Sequence, residues 1–93
     1  MKEYIVKPRV TVQKIKKYGF RYLSEGDYIL SKPIYFYQKY PVLFINMYIS
    51  IEDRIFRSEI ADKMGISRSY VSRIEKKAIE KLGKAYLKTK TTL

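Results

Sequence analysis

Between Ser67 and Lys77 the chain reads SRSYVSRIEKK, and hydrogen-bonding side chains recur there at helical spacing. At about 100° per residue, Arg68, Ser69, Ser72, Arg73 and Lys76 gather on one side of a helix. Tyr70, Val71, Ile74, Ala78, Leu82 and Ala85 gather on roughly the other side. Arginine presents a planar fork of donors suited to guanine O6 and N7, and serine both donates and accepts, so Arg68, Ser69, Ser72 and Arg73 have the chemistry to read base edges in a major groove. Lys76 and Lys77 fall where phosphates would flank that groove. Lys63 or Arg57, upstream, could add backbone contacts. At Ser67 the helix N-terminus offers free N–H groups and a positive dipole end to a further phosphate. Glu75 and Glu80 interrupt the basic stripe; Glu75 either pairs with Arg68 or a lysine at helical spacing or helps exclude some bases, and both readings stay open. A charged, solvated face is also what any amphipathic helix shows, so the weight rests on the residues that precede it.

Those residues have their own pattern. Ile60, Ala61 and Met64 are spaced to bury one face of a short helix over Ser58–Met64. Gly65 stands at the turn, where a residue without Cβ reaches positive φ without strain. Ile66 plugs the corner, Ser67 is a natural N-cap, and Val71 and Ile74 anchor a second helix onto the first. The spacing predicts a helix-turn-helix, with the second helix running from Ser67 to about Lys88. Gly83 inside it costs roughly 1 kcal/mol relative to alanine, which allows a bend or fraying there. The stretch from Lys88, KTKTTL, has the composition of a disordered tail.

The elements ahead of this unit are of a different texture. Residues 1–56 hold eight of the ten tyrosines and all three prolines. Thr11 can cap a short helix over Val12–Tyr18, which Gly19 would end. Turn residues then separate strand-like runs at Phe20–Leu23, Tyr28–Ser31, Ile34–Gln38 and Val42–Ser50, with a short Arg54–Phe56 after Glu52-Asp53. Pro33 argues for an edge or a bulge. The expected fold is therefore α+β: a short N-terminal helix and a small antiparallel β-meander followed by a C-terminal helix-turn-helix. An all-α alternative makes Pro41–Ile51 a helix with Pro41 at its first position. The expected division is residues 1–56, β-rich, and residues 57–93, the helix-turn-helix with its tail.

Composition limits the function classes. With no cysteine and no histidine, the chain lacks thiolate chemistry, the usual zinc ligands and the commonest general base. It also has no Gly-rich phosphate loop, and its acidic pairs sit on expected turns. No catalytic residue, metal or cofactor is assigned, and the expectation is that it is not an enzyme. No apolar run approaches the ~18 residues of a membrane span, and the N-terminus lacks the features of a secretory signal, so the chain reads as cytoplasmic. The net charge of +11 favours a polyanionic partner. The excess is concentrated: residues 54–93 carry eleven Lys/Arg against four Asp/Glu, and residues 1–53 carry nine against five.

The segment SEIADKMGISRSYVSRIEKKAIEKL resembles the C-terminal helix-turn-helix, region 4, of sigma-70 family RNA polymerase sigma factors. The resemblance is greatest to the sporulation sigma factors and covers about Arg57–Leu87, a third of the chain. It implies binding to a −35 promoter element in double-stranded DNA and contact with RNA polymerase. Carried over by position, Arg68, Ser69 and Arg73 would read bases, with Ser72, Lys76 and Lys77 flanking. An alternative reading is a protein-interaction or dimerisation module with a vestigial helix-turn-helix, in which aromatics such as Tyr35, Tyr37, Phe44 and Tyr48 line a surface. Another is the truncated product of a split sigma-factor gene. Stacking of single-stranded bases on the tyrosines of residues 1–56 is a further rival, less favoured than tyrosines that simply fill a small sheet.

Overall fold

A computed structural model describes residues 3–88 of the chain. The expected tail therefore lies, apart from Lys88, outside the described residues. Five antiparallel strands and two helices follow in the order β1 (Glu3–Ile5), α1 (Val12–Tyr18), β2 (Arg21–Ser24), β3 (Asp27–Tyr37), β4 (Tyr40–Ser50), β5 (Ile55–Asp62) and α2 (Arg68–Tyr86). The sheet order is β1-β5-β4-β3-β2. The α+β class and the meander stand; the all-α alternative does not, because Tyr40–Ser50 is the central strand.

Local chemistry sets most of these elements. The Thr11 side chain accepts from the Lys14 N–H, and the Gly19 N–H donates to the carbonyls of Ile15 and Lys16, so α1 is capped at both ends. Gly19 does so at φ 132°, outside the range of most side-chain-bearing residues. Two tight hairpins follow, with Glu25-Gly26 and Gln38-Lys39 all at positive φ, the backbone that suits the twist of paired strands. The two runs expected around Pro33 are one strand, β3, with its register to β4 shifting between Pro33 and Phe36.

On β4 the alternation is clean. Leu43, Ile45, Met47 and Ile49 are buried on one face, and both helices lie on that side. Of these, Ile45, Met47 and Ile49 join Val6, Val10, Ile15, Phe20, Phe56, Ile79, Leu82 and Leu87 in one core. Chain ends are tied across it: Lys7 N–H donates to Tyr86 O, Lys88 N–H to Ile5 O, and the Arg54 guanidinium to the carbonyls of Val10 and Lys7. The boundary expected between residues 56 and 57 falls inside β5, and both sides of it feed this core.

The first helix expected of the helix-turn-helix is where the structure departs most. Ser58–Met64 is not helical: most of it is β5, which is longer than the expected Arg54–Phe56 and pairs with β4 on one edge and β1 on the other. Phe56 and Ser58 are buried toward the helices, while Arg57 and Glu59 are exposed on the opposite face. The two ladders together supply more hydrogen bonds than a seven-residue helix would, and a helix of that length is not stable without strong tertiary support.

Candidate nucleic-acid interface

Asp62 ends β5 and organises the loop Lys63–Ser67 that launches α2. Its carboxylate accepts from the N–H groups of Met64 (2.9 Å), Gly65 (2.9 Å) and Ile66 (2.7 Å). Gly65 sits at φ 71°, so its role at the turn holds even though a strand, not a helix, precedes it. Ser67 takes the N-cap position of α2, but its side chain makes no capping bond; its hydroxyl lies 3.0 Å from that of Ser69.

The helix is seated by Val71, Ile74, Glu75, Ala78, Ile79, Leu82 and Tyr86, all buried or half-buried. This stripe is rotated from the expected one. Tyr70 and Ala85 are exposed, whereas Ile79, outside the expected stripe, is in the core; Leu82 is buried as expected. Gly83 does not end the helix, which runs on to Tyr86. Glu75 faces the sheet: the buried Ser58 hydroxyl donates to its Oε2 at 2.9 Å. Glu80, exposed one turn beyond Lys76, interrupts the outer face, whereas Glu75 is turned away from it. The charges of Glu75 and Glu80, after burial itself, hold the Tyr4 hydroxyl pKa above its ordinary value.

Ser69, Ser72, Arg73 and Lys76 are exposed together, within an arc of about 100° of the helix. Arg68 is exposed too, but at the first residue and about 140° around from Arg73. The Arg73 guanidinium lies 5.9 Å over the Tyr70 ring, which stands edge-on to Tyr35. Stacking of this kind leaves the N–H edge of a guanidinium free for a partner. Lys77 sits on the flank toward β3. Lys63 is exposed in the loop, where its backbone N–H donates to Val42 O.

Arg57 is not part of this face. It lies on the uncovered side of the sheet, opposite the side that carries α2, 5.7 Å over the Tyr48 ring. In its place come two lysines that the motif did not single out, Lys81 and Lys84, exposed four and seven residues after Lys77. The i, i+4, i+7 spacing was their available signal. With Lys76, Lys77 and Lys88, and with Glu80 as the one acidic side chain among them, they line a shallow depression along the C-terminal half of α2.

Residues 57–84 match the family model described as sigma-70, region 4. That is under a third of the chain, and within it the chain is similar to sigma-70 region 4. No curated protein and no solved structure matches the chain. Of the two helices such a segment would pair, the second is present as α2 and the first is replaced by β5. Among the described residues no helix is long and apolar enough to cross a membrane, and no cluster of carboxylates could hold a metal ion.

Proposed function

We propose that this protein binds duplex DNA in transcription, laying the outward face of α2 in the major groove. One observation carries the reading: within the region 4 segment, Ser69, Ser72, Arg73 and Lys76 are exposed together on a single helix face, and the acidic side chain that shares that face, Glu80, comes only one turn after Lys76. A major groove admits one α-helix, so a sheet can hold α2 in place of the missing first helix. Arg73 and the two serines meet base edges; Lys76, Lys77, Lys81 and Lys84 follow the phosphates; Arg68 reaches toward one wall of the groove. The role is binding and not catalysis. The region 4 match supports a −35-type promoter element as the site and RNA polymerase as a partner.

Selection of bound duplexes from a random pool tests this. A −35-like consensus is expected. Arg73→Ala should cost about 1–3 kcal/mol on the selected site and relax the base choice beneath it, with Arg68→Ala costing less. A pool that yields no consensus, or an Arg73→Ala variant that binds the selected site unchanged, overturns the assignment.

A further inference from the structure

A second recess lies between α2, the end of α1 and the irregular stretch of β3. It encloses about 460 Å³, within the range of small-ligand sites. Two local devices build it. On α2, Tyr70, Ile74, Lys77 and Lys81 recur at intervals of three and four residues and form one stripe along the flank facing β3. On β3, the bulge at Ile34 breaks the alternation of side chains. Pro33 pairs with Phe44 on the uncovered face, and Tyr35 pairs with Leu43, whose side chain is on the helix-bearing face. Tyr35 is thereby turned to the same side as Lys32, the partner of Ile45.

The result is a chemically sorted site. Its floor is apolar, with Ile45 and Met47 buried beneath it. Tyr35 and Tyr70 meet edge-to-face at 5.8 Å, and Tyr18 forms a further wall. The Lys32 ammonium is held 5.5 Å over the Tyr18 ring, and Lys77 and Lys81 complete a cationic rim. No Asp or Glu lines the recess.

A planar aromatic group carrying phosphates matches all three zones. In a duplex the base faces are stacked and out of reach, so the matching polymer is a single strand. We propose that the recess binds an unstacked nucleotide of single-stranded nucleic acid, its base against the tyrosines and its flanking phosphates on Lys32, Lys77 and Lys81. Base–aromatic stacking tolerates any sequence, so this site would be indifferent to base identity, unlike the outward face of α2. The two sites have separate readouts, because Lys32 and Tyr35 belong to β3 and take no part in duplex binding.

The test uses the full chain and single strands of about eight thymidylates, a length that fits one small domain, beside abasic strands of the same length and charge. Calorimetric titration at low salt should show the thymidylate strand binding about tenfold more tightly than the abasic one. Tyr35→Leu should remove most of that difference while leaving abasic and duplex affinities unchanged, and Lys32→Gln should weaken both single strands a few-fold. Equal binding of the two strands by the unaltered protein overturns the proposal, whatever the variants do. So does a folded Tyr35→Leu protein that still distinguishes them.

Discussion

β5 and the outward face of α2 are joined by one short loop and share the region 4 match, yet they relate to the rest of the molecule in opposite ways. β5 is hydrogen-bonded along both edges and sends Phe56 and Ser58 into the core. Outward-facing Ser69, Ser72, Arg73 and Lys76 are exposed, and only Ser69 hydrogen-bonds a neighbouring side chain, that of Ser67. One stretch of sequence thus carries stability in its first part and, in the function proposed, recognition in its second. A helix-turn-helix mixes the two, since its first helix both supports the second and contacts the DNA backbone. Here the support is a sheet, so the two properties should come apart under mutation.

The sharpest separation is expected at Phe56, which is fully buried and stands edge-to-face with Tyr4 at 5.8 Å. Phe56→Ala should destabilise the protein by about 3–5 kcal/mol, measured by chemical denaturation, and DNA binding should fall only as the folded fraction falls. An unchanged denaturation midpoint would mean that β5 is not the strand described. Ser58 is the next test, because it faces α2 only if the segment is extended. Ser58→Ala leaves the half-buried Glu75 carboxylate without its donor and should cost about 1–3 kcal/mol. In a double-mutant cycle with Glu75→Gln the two changes should couple by at least about 0.5 kcal/mol; strict additivity would put Ser58 and Glu75 apart and restore the helical alternative.

Lys76→Ala is the opposite kind of change. It should weaken every duplex to a similar degree and lower the slope of log K against log salt by about one, with no shift in the denaturation midpoint. A loss of stability at this exposed position would show that the outward face also supports the fold, and the comparison with β5 would fail.

Why β5 escaped a reading of the sequence can be stated physically. Around it, apolar and small residues fit two periods: Phe56, Ser58 and Ile60 alternate, while Ile60, Ala61 and Met64 have helical spacing. Local pattern does not choose between them. The choice is made by β4, whose edge needs a partner and lies far along the chain. β1 has three residues and no local signal at all. α1, by contrast, was legible to the residue because Thr11 and Gly19 fix its ends by contacts within the segment. α2 was legible in extent and in the exposure of Arg68, Ser69, Ser72 and Arg73, but not in rotation, since Ile79 and Glu75 take their inward positions from the sheet they meet. The recess beside it was out of reach for the same reason: it depends on a bulge that turns Tyr35 and on a flank that faces it.

The smallest expected effect concerns pH, and it again sets the sheet against the outer helix face. Tyr48, on the uncovered face, donates to Glu59 Oε1 at 2.7 Å. That bond, then burial and the Glu59 charge, hold its hydroxyl pKa above the ordinary 10.0, with Arg57 acting weakly the other way. A raised pKa means the folded state keeps its proton where the unfolded chain has lost it. The stabilisation is therefore fully present below pH 10 and is lost as pH climbs through the folded-state value. Tyr48→Phe should lower stability modestly near neutral pH, by removal of the hydrogen bond, and make the decline above about pH 10 shallower. Denaturation midpoints of the two proteins across that range measure it. Parallel declines would mean that Tyr48 ionises alike in both states, and that β4 and β5 are not joined there by the bond described. Arg73→Ala, whose change lies on the outward face of α2, should leave the alkaline decline where it is.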